Sequence, residues 1–228
     1  MHSTVQNLLD IENNIKTYLN KSNIDKNPKI VAVSKTFKID KILPLIEYGH
    51  IDFGENKVQE LELKHSSLPK DIKWHMIGHL QTNKVKKVVP LVSLIHSVDS
   101  LKLLKSINKE SNKLNKITDC LIQINISNEE SKYGFSEDQL DFLNKNSLNE
   151  YQNIRIRGLM GMASFSSDKN IVEKEFHFLK GIFNELKKEF TDFDILSMGM
   201  SNDYEIALEA GINMIRIGSK IFGSRNYH

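Results

Sequence analysis

The chain has 228 residues, enough for one domain or two small ones and for burial of roughly 70% of its unfolded-chain surface without staples. Lys and Arg number 31 against 29 Asp and Glu, and this net charge of +2 gives no support for a nucleic-acid arm or a membrane-surface helix. One cysteine, Cys120, excludes an intramolecular disulfide and any multi-cysteine zinc or iron–sulfur site, and no apolar run approaches the ~18 residues of a membrane span.

The N-terminus lacks a charged segment followed by an apolar one, so no signal peptide is expected. The expectation is a cytoplasmic, single-domain protein covering residues 1–228. The chain opens with a helix over 3–20. Ser3 and Gln6 have capping-box spacing, and Val5, Leu8, Leu9, Ile15 and Leu19 follow helical periodicity, with Glu12 the polar exception. Short apolar, β-branched runs then alternate with helical patterns. The runs are 30–34, 51–53, 73–77, 93–96, 119–126, 154–159, 193–197 and 213–217. Helices are expected near 40–48, 56–64, 82–89, 100–112, 136–145, 168–189 and 202–210. Gly49 and Gly211 follow helices, where a left-handed residue is wanted, and Pro90 ends another. Ser136 with Gln139 and Asn202 with Glu205 have capping spacing. Pro44 is tolerable only near a first turn. The segment 127–135 reads as a polar, exposed loop.

Continuous apolar strands alternating with helices mean a parallel sheet covered by helices. Eight such units in about 200 residues suggest a closed (β/α)₈ TIM barrel, with the first helix as an extra. An open doubly wound sheet is the alternative, but no G-x-G-x-x-G follows the first strand.

Barrel sites lie at the C-terminal ends of the strands, often with a phosphate bound by the loops after strands 7 and 8. Those loops are 197–203 (SMGMSND) and 217–223 (IGSKIFG), and both carry small residues toward a helix start. Either alone would be an ordinary glycine loop, but two at the expected positions point to a phosphoryl ligand. Lys35 ends the first strand. Most of the 27 lysines must be surface cations, but desolvation and nearby cations at a barrel mouth would free this amine for Schiff-base chemistry. Arg216 lies inside strand 8 and needs either a carboxylate partner or a ligand, since an unpaired buried charge is costly. Asn56 follows strand 2 as a ligand contact or a helix cap. His75 lies near the end of strand 3 with His79 four residues on, but Gly78 intervenes and no third ligand is evident, so no metal is expected. Met162 follows strand 6, and a methionine there is more often core than cofactor contact. Cys120 lies in an apolar strand and is expected to be inert.

These segments together resemble the pyridoxal phosphate homeostasis family. The matching stretches are AVSK at 32–35, FGEN with VQE at 53–60, and WHMIGHLQTNK at 74–84. They continue with IQINIS and SKYG at 122–134, RGLMGM at 157–162, SMGMSND at 197–203 and RIGSKIFG at 216–223. His79 departs from the pattern, which usually has a small residue or proline there. The resemblance implies a fold-type-III barrel similar to the N-terminal domain of alanine racemase. It implies pyridoxal 5'-phosphate (PLP) held as a Schiff base on Lys35, the phosphate held by Ser201 and the backbone at Gly218 and Ser219, Arg216 facing the pyridine nitrogen, and Asn56, His75 and Met162 near the ring.

An arginine disfavours a protonated pyridine nitrogen and so weakens the cofactor as an electron sink. The chain ends at His228, so no second domain with a tyrosine base is expected; Tyr133 and Tyr227 remain, and nothing places either as a base. The expected function is a non-catalytic PLP carrier and buffer in vitamin B6 and amino-acid balance, with PLP-dependent apo-enzymes as recipients. A complete barrel requires no partner, so a monomer is expected. The alternatives are an amino-acid racemase-like enzyme, which needs an acid/base opposite Lys35, and a cofactor-free Schiff-base aldolase. Lys132, in the 127–135 loop, reads as a solvated lysine, with a second PLP or a partner contact as the functional alternative.

Overall fold

A computed structural model describes residues 1–22, 27–127, 129 and 133–224. Lys132 and Tyr227 lie outside them. Eight parallel strands close into a barrel in sequence order, with the last strand hydrogen-bonded to the first. They are β1 Lys29–Val33, β2 Asp52–Glu55, β3 Lys73–Met76, β4 Leu94–Val98, β5 Thr118–Ile124, β6 Ile154–Gly161, β7 Ile195–Ser197 and β8 Met214–Ile217. The open sheet is therefore excluded.

Around the barrel lie α1 Ser3–Ser22, α2 Ile39–Glu47, α3 Val58–Ser67, α4 Val85–Val88, α5 Leu101–Lys113, α6 Lys145–Leu148, α7 Lys169–Glu189, α8 Tyr204–Glu209 and α9 Ser219–Phe222. Most of the apolar core, including Phe53, Trp74, Phe176 and Phe193, packs between strands and helices. A smaller cluster of Val31, Leu94, Leu121, Met160 and Met214 fills part of the barrel interior.

Helix α1 is the extra element. It buries Val5, Leu8, Ile11, Ile15 and Leu19, each worth about 1.5–3 kcal/mol when fully buried. It packs on α2 and α9, and the Asn7 amide donates to the Ile221 carbonyl at 2.9 Å. The extra helix thus braces the turn that follows β8.

Local signals hold in part. Gly49 (φ +99°) and Gly211 (φ +73°) take the left-handed conformation that their helix ends need. The Ser3–Gln6 box gives way to His2, whose Nδ1 accepts from Thr4 N–H at 3.3 Å, while Gln6 bonds Asp10. Asp203, not Asn202, starts α8, and its carboxylate accepts from Met200 N–H. The helix expected at 136–145 is a 3₁₀ stretch, Glu137–Phe142, before the short α6. The Ser136–Gln139 pair is nevertheless in contact, with Ser136 N–H donating to Gln139 Oε1 at 3.2 Å. Pro44 sits inside α2. In the 127–135 segment Phe135 is buried and its N–H returns to the Gln123 carbonyl at 2.8 Å, so that end docks on the barrel.

Candidate functional site

Parallel strands deliver their C-terminal ends to one mouth, and the residues that follow them enclose a cavity of about 560 Å³. That lies within the ~300–1,000 Å³ usual for small-molecule sites. Lys35, Asn56, Met162, Ser201, Arg216, Gly218 and Ser219 all line it. These residues come from the ends of five different strands and meet only because the barrel closes.

Lys35 is half-buried in the turn after β1, and the turn is held from several sides. The Ser34 hydroxyl donates to Glu55 Oε1 at 2.6 Å. The buried Lys64 ammonium donates to the Ser34 carbonyl at 2.8 Å and to Glu55 Oε1 at 2.7 Å. Thr36, at a left-handed φ of +70°, donates its N–H to Glu60 Oε2 at 2.6 Å. Both peptides flanking Lys35 are therefore anchored, which fixes where its side chain leaves the backbone.

The loops after β7 and β8 are tied together. Ser201 Oγ accepts from the N–H of Gly218 at 3.2 Å and of Lys220 at 3.3 Å. Gly199 has φ +86°, and a Cβ there would stand 2.7 Å from the Ala207 methyl, so this loop requires glycine.

Arg216 is 4% exposed, and its guanidinium is held by neutral groups, Ser197 Oγ at 2.6 Å and the Gly161 carbonyl at 2.9 Å. A hydrogen-bonded carboxylate partner, one of the two expectations for it, is absent among the described residues. Burial pulls the guanidinium down to about 10, and Asp203 on the rim opposes this through space. It remains a cation at neutral pH. Asn56 Oδ1 is buried with no hydrogen-bond partner. Such an oxygen costs about 1–3 kcal/mol unless a ligand or water satisfies it.

His75 departs from the arrangement that the resemblance implies. Its imidazole does not line the mouth; it faces a cavity of about 510 Å³ at the opposite end of the barrel, with Asp52 and Lys29. A side chain on β3 at this register points into the interior one layer below the mouth. His79 lies at the mouth, bonded to Asp99 at 2.7 Å and stacked on Tyr133 with ring centroids 3.9 Å apart. It serves as wall rather than metal ligand, and no cluster of three or more metal-ligating side chains occurs among the described residues. Cys120 is buried and its thiol is pushed up by desolvation, which keeps it protonated and inert.

Sequence reasoning missed other lining residues: Val33, Ile77, Gln123, Ser164 and the exposed Phe165. Gln123 was detectable as a polar residue inside an apolar strand. Phe165 carries no such signal.

The family described as alanine racemase, N-terminal domain, matches residues 6–226, and this defines the class to which fold and site belong. A pyridoxal phosphate homeostasis protein of Aquifex aeolicus is 38% identical over 201 residues, covering 87% of this chain and 88% of its own length. The Homo sapiens protein of the same name is 39% identical over 217 residues, covering 88% and 78%. The structure of PipY from Synechococcus elongatus with PLP bound superposes with a TM-score of 0.78 at 29% identity, over 92% of this chain and all of that one. The chain belongs to the pyridoxal phosphate homeostasis protein family. The Aquifex aeolicus and Homo sapiens relatives are named for homeostasis rather than for a reaction. No described helix is long and apolar enough to cross a membrane.

Proposed function

We propose that this chain, as a single domain, holds pyridoxal 5'-phosphate in the mouth cavity and serves as its carrier and buffer. The observation that carries the reading is the unpartnered Asn56 Oδ1, buried in the same cavity that collects Lys35, Arg216 and the two tied loops. When bound, the cofactor supplies an aldehyde that amines attack and a ring able to delocalise charge.

The residues present fit that group. Lys35 would hold the group through its aldehyde, with loss of one water; water would return the free aldehyde, and another amine would take it from the lysine. The Ser201 hydroxyl and the backbone at Gly218 and Ser219 would hold the phosphate, and Asn56 and Met162 would lie beside the ring. Arg216, charged at neutral pH, would leave a pyridine nitrogen placed against it unprotonated, which disfavours carbanion chemistry. A racemase would need a second acid or base opposite the lysine. Tyr133, the tyrosine among the described lining residues, is instead stacked on His79. Reversible capture without turnover suits a protein that exchanges PLP with apo-enzymes as a monomer.

The test is the visible spectrum of the purified protein with PLP, before and after borohydride, followed by peptide mass mapping. A visible band, and a reduced pyridoxyl adduct on Lys35 that Lys35→Ala lacks, are expected. A colourless protein with no adduct after incubation with PLP would overturn the reading and favour a cofactor-free aldolase. Lys35-dependent racemisation of L-alanine by the loaded protein would replace the carrier with an enzyme.

A further inference from the structure

We propose that Ser197, His96, His75 and Asp52 form a hydrogen-bonded relay through the barrel interior that positions the Arg216 guanidinium at the mouth. This rests on the reading of that cavity as the PLP site.

The path is continuous. Arg216 Nη1 lies 2.6 Å from Ser197 Oγ. Ser197 Oγ lies 3.1 Å from His96 Nδ1, although the two residues are 101 apart in sequence. His96 Nε2 lies 2.8 Å from His75 Nδ1, and His75 Nε2 lies 3.0 Å from Asp52 Oδ1. Asp52 opens onto the cavity at the far end, with Lys29 at 3.4 Å. Five strands thus contribute one polar group each to a single line from one end of the barrel to the other.

With both imidazoles neutral, the carboxylate at one end fixes the direction of every proton in this line. Asp52 as a carboxylate only accepts, so His75 carries its proton on Nε2. His75 Nδ1 then accepts from His96 Nε2–H, and His96 Nδ1 accepts from the Ser197 hydroxyl, which in turn accepts from the Arg216 guanidinium. Both histidines are fully buried, and desolvation holds both below the usual imidazole range, His96 further than His75. That favours the neutral forms which the acceptor nitrogens require.

Barrel interiors are usually filled by branched aliphatic side chains. A polar line here costs desolvation, which its full hydrogen bonding offsets. The benefit lies at Arg216. A carboxylate bonded directly to the guanidinium would occupy the donors that should face the ligand. The relay orients the cation through a neutral hydroxyl and sets its last carboxylate at the opposite end of the barrel. His75 therefore acts at a distance as a positioning residue.

Two measurements test this. The first is ¹⁵N NMR of the ligand-free protein at neutral pH, in which His75 and His96 should both be neutral Nε2–H tautomers. Finding either as the Nδ1–H tautomer or as an imidazolium would overturn the relay, whether or not PLP binds. The second compares Ser197→Ala, Ser197→Thr and His96→Gln with PLP added, each verified as folded by circular dichroism. Ser197→Ala should weaken PLP about tenfold and move the visible band in the same direction as Arg216→Gln, and Ser197→Thr should restore both. Lys35 should remain the site of borohydride trapping throughout. Unchanged affinity and band in folded Ser197→Ala and His96→Gln would overturn the positioning role. A wild type that takes up no PLP would sink the parent reading instead, leaving the tautomers to decide the relay.

Discussion

At Asn56 a side-chain oxygen is buried without a partner on the rim of a cavity otherwise well supplied with hydrogen bonds. Removing a satisfied buried oxygen destabilises, because its partner is orphaned; removing an unsatisfied one relieves a penalty of about 1–3 kcal/mol. Asn56→Ala should therefore keep or raise the urea midpoint, and spectroscopic titration should show PLP binding weakened about tenfold. A lower midpoint with unaltered PLP affinity would mean that Asn56 serves the fold rather than the ligand. The same residue shows how far a site can be seen in sequence. Asn56 was equally readable as a helix cap, and only its geometry separates the two: α3 begins at Val58, Lys57 precedes it, and no side-chain cap forms there. Lys35, Ser201 and Gly218 were accessible from the strand-end rule because each closely follows a strand. His75 was not, because two inward-facing positions, His75 on β3 and Ile77 just beyond its end, differ only in their depth along the barrel axis, and the sequence leaves open which of them reaches the mouth.

The turn from β1 to α2 is an element held by charge rather than by apolar packing. Lys64 is almost fully buried beside Glu55, which is fully so, and the pair also binds the Ser34 hydroxyl and carbonyl. Removing one member of such a pair leaves a buried charge unpaired and costs about 3–5 kcal/mol, whereas removing both is milder. Lys64→Met should lower unfolding free energy by about that amount. Lys64→Met/Glu55→Gln should lose less than the sum of the two single changes in a double-mutant cycle by urea denaturation. Additive losses would show the two residues to be uncoupled. Nothing in the periodicity of α3 announces this role: Lys64 reads as one more helical lysine until the barrel brings α3 against the end of β1. The expected helix near 136–145 fails for a related reason. Its capping pair is real, but few of the residues beyond it find a core to face, with Leu143 buried and Leu140 and Phe142 only partly so, and helix stability comes mainly from tertiary packing.

Across the whole molecule, strand order and closure were legible because eight apolar runs are separated by helices in a regular alternation, and parallel strands so connected have few ways to arrange themselves. The content of the barrel interior was not. His75, His96 and Ser197 are polar residues in three separate, mainly apolar runs, and only closure places them within hydrogen-bonding distance. Their burial has a consequence for stability. Both histidines sit below the usual imidazole value, chiefly through desolvation, so the unfolded chain takes up protons near that value while the folded chain does not. Stability is thus full above the unfolded pKa and is lost as pH falls below it, until the folded groups also titrate. Asp52 lies below its ordinary value because His75 and Lys29 outweigh its burial, so its own contribution is retained until far lower pH. Urea midpoints of the ligand-free protein should therefore fall steadily from pH 7 to 5.5, and His96→Gln, which removes the more strongly shifted group, should show a shallower slope. A flat profile in the wild type over that range would mean that the interior histidines protonate as readily in the folded barrel as in the unfolded chain.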